Sequence, residues 1–408
     1  MRMTYSTDQG ANAVTDYSSD ATETTQGLGR RPVSPVALDD VFDDPDHGEP
    51  GRDRMTVHLV WELLLVLGVA AVGFLVYQDH SELLKGAALK DLLVFAAALG
   101  LVTLGTVLSL RAAVPNLAVG SLAVAAAVFF ATNSDRGVTV TMAVAAVAAL
   151  VAGGVLAIFV VGFHVPSWAV TLGAGFAAAA WVQRHSEPVA VEGGYDPSRH
   201  AYYLFAGFAA ISVVGGLVGS TKAIRRTVGR FRPIEDAAHR RGAVAAVVAT
   251  AALVGSAVLA SVGGSLLGAG VEEVTPTTGF EITALAMGAA LVGGTSAFGR
   301  RGGVFGTVLA VLLVTLLLRY GQAEGWRLRE LGIGAAAMGL GLVITRLVEA
   351  LGRPRSGEEV DETDAAWMPG SGWSQPPDSW SASLPTQPTA GRSNDFWGDD
   401  RWGSRGDD

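Results

Sequence analysis

Apolar residues dominate ten stretches of the chain, and polar or charged residues collect between them. The stretches run approximately over 57–77, 91–110, 112–131, 138–161, 165–182, 201–221, 242–267, 281–298, 303–319 and 331–351. A helix of about 21 residues rises roughly 31 Å, enough to cross a bilayer's hydrocarbon core. The runs are too long and too uniformly apolar for barrel strands, so each predicts a helix whose backbone polar groups are satisfied internally. The pattern predicts an all-α, polytopic membrane protein of about ten transmembrane helices. Eight is the alternative count, because 165–182, 281–298 and 303–319 are short enough to re-enter rather than cross.

Outside the runs the chain changes character. Residues 1–55 and 353–408 are rich in Ser, Thr, Asp, Gly and Pro and show no apolar period. Such segments cannot bury enough surface to offset the entropy of ordering, so both read as disordered acidic tails flanking a membrane domain over 56–352. The polar start carries no small-residue cleavage pattern, so no secretory signal is expected. Five of the nine Trp lie in the C-terminal tail (Trp367, Trp373, Trp380, Trp397, Trp402). They read as a docking motif or as residues of a drifting tail.

Charge placement orients the spans. The connection 222–241, KAIRRTVGRFRPIEDAAHRR, carries seven Lys or Arg and is expected in the cytoplasm. The connection 268–280 holds two Glu and no basic residue, as an external loop should. Ten spans then place both termini inside. Arg319, Arg327 and Arg329 fall outside, against the rule. Ten spans divide into five and five, and an odd number per half makes any internal repeat an inverted one. Run 112–131 is interrupted by Pro115-Asn116 and Gly120-Ser121, and run 281–298 by Gly293-Gly294-Thr295-Ser296. Two broken helices at the third place of each half are the sequence pointer to a transport path.

Composition removes several chemistries. Cysteine is absent, which excludes disulfides, thiolate metal sites and a Cys nucleophile. The seven His are scattered with no i, i+3 or i, i+4 pair, so no metal-ligand pattern is visible. The three Lys (Lys85, Lys90, Lys222) lie outside any phosphate-binding loop, so no nucleotide-hydrolysis site is expected in this chain. The formal charge of −9 averages acidic ends, residues 1–50 and 357–408, that sum to −15 with a middle of about +6.

Charged residues within the runs sit near their ends. Glu62 lies one turn from the inner end of the first run, and Glu281 opens the eighth at the outer face. Arg346 and Glu349 close the tenth. Interfacial snorkelling accounts for all four, leaving no mid-membrane carboxylate for a proton relay. Neutral polar residues at the breaks are the better candidates: Asn116, Ser121, Thr171, Thr295 and Ser296 would line a wet path. Trp168 and Trp181 bracket the fifth run. Trp181 reads as an interface anchor or as a stacking surface for a ring-shaped solute. The many span glycines read as close helix packing.

Three segments carry a family resemblance. GGTSAFGRRGGVFGTVLAVLL (293–313), VPNLAVGSLAV (114–124) and FHVPSWAVTLGAGF (163–176) resemble, in order and rough spacing, signature segments of ribose/xylose-type ABC transporter permeases. The resemblance covers about residues 60–350. It implies a dimeric permease of about ten spans, as a homo- or heterodimer in the cytoplasmic (inner/plasma) membrane. Such a permease works with cytoplasmic ATPase subunits that use ATP and with an external solute-binding protein, so this chain itself is no enzyme and holds no cofactor. No nucleic acid enters this picture.

The segments also depart from the family. Asn116 stands where the family has Asp, Ala118 where it has Ser, and Arg300-Arg301 interrupt the late glycine motif. The ATPase-docking stretch is shortened to FRPIEDAAHRRG (231–242), where Arg230, Arg232, Glu235 and Asp236 are the candidate coupling residues. Positive-inside topology alone also explains that basic cluster. The leading expectation is a permease subunit moving a small polar solute, a sugar or sugar-like molecule. The alternative is a permease-derived membrane scaffold or envelope-assembly protein that has lost its ATPase. An ion-coupled secondary transporter ranks last, since it requires the mid-membrane carboxylate that the pattern lacks.

Overall fold

A computed structural model describes residues 55–192, 194–221, 243–297, 305–327 and 330–351. Ten α-helices lie among them, one within each apolar run. They are α1 (Met55–Asp79), α2 (Gly86–Arg111), α3 (Val119–Asn133), α4 (Val138–Ala157) and α5 (Ser167–Val182). The second five are α6 (Ala201–Ser220), α7 (Ala243–Ala269), α8 (Phe280–Val292), α9 (Gly306–Ala323) and α10 (Glu330–Leu351). Seven of these helical segments are long and apolar enough to cross a membrane, α4 together with the π-helical turn Ile158–Gly162 that extends it. The exceptions are α3, α5 and α8, with 15, 16 and 13 residues. The chain is an all-α, multi-pass membrane protein. The expected tails fall outside the described residues, as does the connection 222–242.

Helix ends sort to two faces. At the first, the Trp61 indole donates to the Val292 carbonyl at 2.8 Å, joining the start of α1 to the end of α8. Nearby, the Phe305 amide donates to Glu62 Oε1 at 3.0 Å. Glu62 therefore caps the start of α9, satisfying an amide that the helix leaves orphaned and opposing its positive end, rather than snorkelling. At the second face, Tyr320 donates to Asp79 at 2.9 Å and His80 meets Glu324 at 2.8 Å, tying the end of α1 to the end of α9. A two-stranded antiparallel ladder also lies here, with Val189 opposite Val274 and Ala190 opposite Glu273. Arg319 belongs to α9 rather than to a loop. Its guanidinium lies 5.1 Å from the Phe95 ring centroid on α2, a packing role that explains its exception to the charge rule.

Small residues decide which helices touch. The helix α7 runs antiparallel to α2 and beside α3, and its Gly263-Gly264 pair faces both. A Cβ on Gly263 would stand 2.6 Å from the Ala98 carbonyl oxygen of α2, and one on Gly264 would run into the Ala123 backbone of α3. One turn on, Gly268 abuts Ala127. Lipid offers little hydrophobic drive between helices, so this backbone proximity and the dispersion contact it allows hold the seam. The pair α8 and α10 repeats the device, with Gly334 against Ala284 and Leu285 and Gly341 against Leu291. The largest buried cluster joins α1, α2, α6, α7, α8, α9 and α10 through Leu65, Leu99, Phe208, Leu266, Leu285, Val311 and Ile344.

Candidate functional site

Two of the ten helices begin in the interior. The helix α2 ends in a turn with Ala113 in the left-handed region (φ 54°), and the chain then continues without helix until Val119. After the ladder, residues 275–279 likewise run without helix until Phe280, with Gly279 left-handed at φ 78°. Both helices start four residues after a proline, Pro115 and Pro276. Proline biases the preceding residue toward extended backbone and supplies no amide, so each segment resists joining its helix.

These two starts meet. A Cβ on Gly120 would collide with the Gly279 carbonyl, and one on Gly279 with the Gly120 backbone. The junction is near mid-depth. Ala98 lies midway along α2, Gly263 abuts Ala98, the adjoining Gly264 abuts Ala123, and Gly120 is one turn before Ala123. From the junction α3 rises about 20 Å to the second face and α8 about 18 Å toward the first, together about the length of α2. The two positive helix ends point at one another.

Side chains from three elements satisfy the start of α3. The Leu117 amide donates to Thr171 Oγ1 on α5 at 3.1 Å. The Ala118 amide donates to Asn116 Oδ1 at 3.0 Å, and the Gly120 amide to Thr283 Oγ1 on α8 at 3.1 Å. Asn116 also donates through Nδ2 to Ser256 Oγ of α7 at 3.0 Å, while its own amide donates to Ser109 Oγ of α2 at 3.2 Å. Ser121 Oγ donates to the Thr278 carbonyl at 2.7 Å, and Thr171 Oγ1 to the Ser167 carbonyl at 2.8 Å. Unpaired backbone at this depth is costly, and these hydroxyls and the amide make it tolerable.

Asn116, Ser121 and Thr171 are therefore brought together around one junction, all fully buried. Thr295 and Ser296 are not part of it. They follow the end of α8 near the first face, where Gly293 packs backbone to backbone on Gly306. The Thr295 hydroxyl is buried and meets no hydrogen-bond partner among the described residues. Arg230, Arg232, Glu235 and Asp236 lie outside the described residues. Trp168 and Trp181 are both exposed at the ends of α5, which suits interface anchoring.

Sequence reasoning missed most of the junction's polar residues: Ser109, Ser256, Thr277, Thr278, Glu281 and Thr283. Glu281 is the consequential omission. Two residues beyond Gly279, it sits about 3 Å along α8 from the junction rather than at the outer face. Thr277 Oγ1 donates to Glu281 Oε1. A signal was available, since TPTTGF (275–280) places its proline in the same register before a helix as VPNLAV (114–119). No protein-family model matches the chain, and no match was found among curated proteins or solved structures.

Proposed function

We propose that the chain is the membrane-spanning permease subunit of an ABC-type transporter that moves a small polar solute, sugar or sugar-like. One observation carries the transport reading. Two short helices begin at mid-depth, head to head, each preceded by unwound chain, and discontinuous helices of this kind surround the solute in membrane carriers. The ABC assignment rests on the three signature-like segments, two of which, 114–124 and 163–176, contribute Asn116 and Thr171 to the junction.

The packing supports ten spans in inverted halves. Shifting every helix by five maps α3–α5 onto α8–α10, α2–α8 onto α7–α3, α4–α7 onto α9–α2 and α3–α4 onto α8–α9, all of them observed contacts. The pairs α2–α7 and α3–α8 map onto themselves. The outer helices depart, α1 lying on α9 and α6 on α2, and so does the neighbouring pair α2–α3. In this frame Pro276 is the counterpart of Pro115. The first face, which receives the ends of the seven-cation connection 222–241, is cytoplasmic, and so are both termini. Movement of α3 against α8 would exchange the hydroxyl contacts described above for contacts with the solute. Cytoplasmic ATPase subunits would drive that movement through 222–241, with an external binding protein delivering solute at the second face and a second permease copy completing the transporter.

Affinity purification of the intact chain from its native membrane, followed by mass spectrometry, tests this reading. An ATPase with a phosphate-binding loop recovered in near-stoichiometric yield is the expected result. Envelope proteins bound to residues 357–408, with no ATPase, would replace transport by the scaffold reading.

A further inference from the structure

We infer that Glu281 is the solute-recognition group of the junction and that the solute is one offering hydrogen-bond donors, hydroxyl or ammonium, and no anionic group. This rests on the transport reading and adds to it the chemistry of the cargo. Glu281 lies near mid-depth, where a carboxylate facing lipid would be expensive. It is nonetheless only partly buried, as are Pro276, Thr277 and Thr278 beside it. A partly exposed carboxylate at that depth requires an exposed side that is wet or filled by polar groups. One of its oxygens accepts from Thr277. The other meets no hydrogen-bond or ion-pair partner among the described residues.

A carboxylate offers about four acceptor sites, so most of its capacity is open. The remaining polar side chains of the junction are neutral Asn, Ser and Thr, and all but Thr277 and Thr278 are buried and engaged with one another or with backbone. Among the described residues, the one charged side chain at the junction is therefore a carboxylate, while the amides at the two helix starts are already taken up by the hydroxyls and by Asn116. A vicinal diol or an ammonium would fill the open acceptor, whereas a phosphate or carboxylate would be repelled. Phe280, next in the chain, meets Phe176 edge-on at 5.6 Å between centroids and supplies an apolar wall.

The test uses the full-length chain in lipid nanodiscs with three probe sets: neutral pentoses and hexoses, small primary amines, and sugar phosphates with sugar acids. Glu281→Gln keeps the side-chain shape and an oxygen to accept from Thr277, so it should fold as the parent does, with a thermal midpoint lowered only slightly by the lost charge at the start of α8. The expected result is binding of at least one neutral sugar or amine at millimolar concentration or tighter, weakened about tenfold or more by Glu281→Gln. Equal binding by both forms, preference for the anionic set, or no binding of any donor-bearing probe would overturn the inference. If an ATPase co-purifies while donor-bearing probes fail, only the role of Glu281 falls. If no ATPase is recovered either, the transport reading falls with it.

Discussion

Replacing Thr283 by Val tests the tie between the two half-length helices with almost no change of volume. The hydroxyl accepts from the Gly120 amide at 3.1 Å, and its own outgoing bonds, to the Gly279 carbonyl at 3.3 Å and the Leu117 carbonyl at 3.4 Å, are long. The loss is therefore mainly that of a buried amide left without an acceptor, which costs about 1–3 kcal/mol. Thr283→Ser keeps the acceptor and removes one methyl, for a cost of about 0.8 kcal/mol or less. The expected order of stability is parent, then Ser, then Val, with Val lower by about 2 kcal/mol, more than a tenfold shift in the unfolding equilibrium. Reversible unfolding in detergent, followed by tryptophan fluorescence, reads the difference. Val equal to the parent, or Ser worse than Val, would refute the hydrogen-bonded junction.

Three further outcomes follow from the packing and the charges. Gly264→Ala drives a Cβ into the Ala123 backbone and should cost about 1–3 kcal/mol, whereas Gly154→Ala, with open space around it, should stabilise by up to about 1 kcal/mol; thermal melts of the two variants separate these signs. Glu62→Ala uncaps α9 and should lower stability by about 1 kcal/mol and speed amide exchange at 305–308, read by hydrogen-exchange mass spectrometry. The hydrogen bond to Glu324, with Glu82 3.4 Å from the other ring nitrogen, raises the His80 pKa above the usual histidine value. Protonated His80 therefore favours the fold, and the α1–α9 clasp should be firm below about pH 6.5 and loosen as pH rises through the raised pKa. Faster exchange of 80–84 and 322–325 at alkaline pH, after correction for intrinsic rates and absent in His80→Gln, is the expected reading.

The helices were legible because each run is long, apolar and free of mid-run charge, so composition alone placed the ten helices to within a few residues, except at the breaks. The interruption at Pro115 was legible too, since proline and glycine mark broken backbone locally. What lay hidden was the partner of each break. Gly293-Gly294 looked like the match for Pro115-Asn116, yet the structure sets Gly120 against Gly279 and gives the proline register to Pro276. Nothing local distinguishes these choices, because the deciding contacts join residues about 160 positions apart. Glu281 and Glu62 were misread for the same reason. Each lies near a run boundary in sequence, and only the chain's return places one near mid-depth and the other at the start of α9.

Cross-linking Ser121→Cys to Thr278→Cys tests the meeting of the two helix starts most directly. The chain has no native cysteine, so the pair forms without competition, and Ser121 Oγ already lies 2.7 Å from the Thr278 carbonyl. Oxidation in native membranes followed by proteolysis should yield one disulfide-linked peptide pair joining 121 to 278, and Ser121→Cys with Ser296→Cys should yield none. Cross-linking of 121 to 296 instead of 278 would contradict the head-to-head junction and every functional statement built on it.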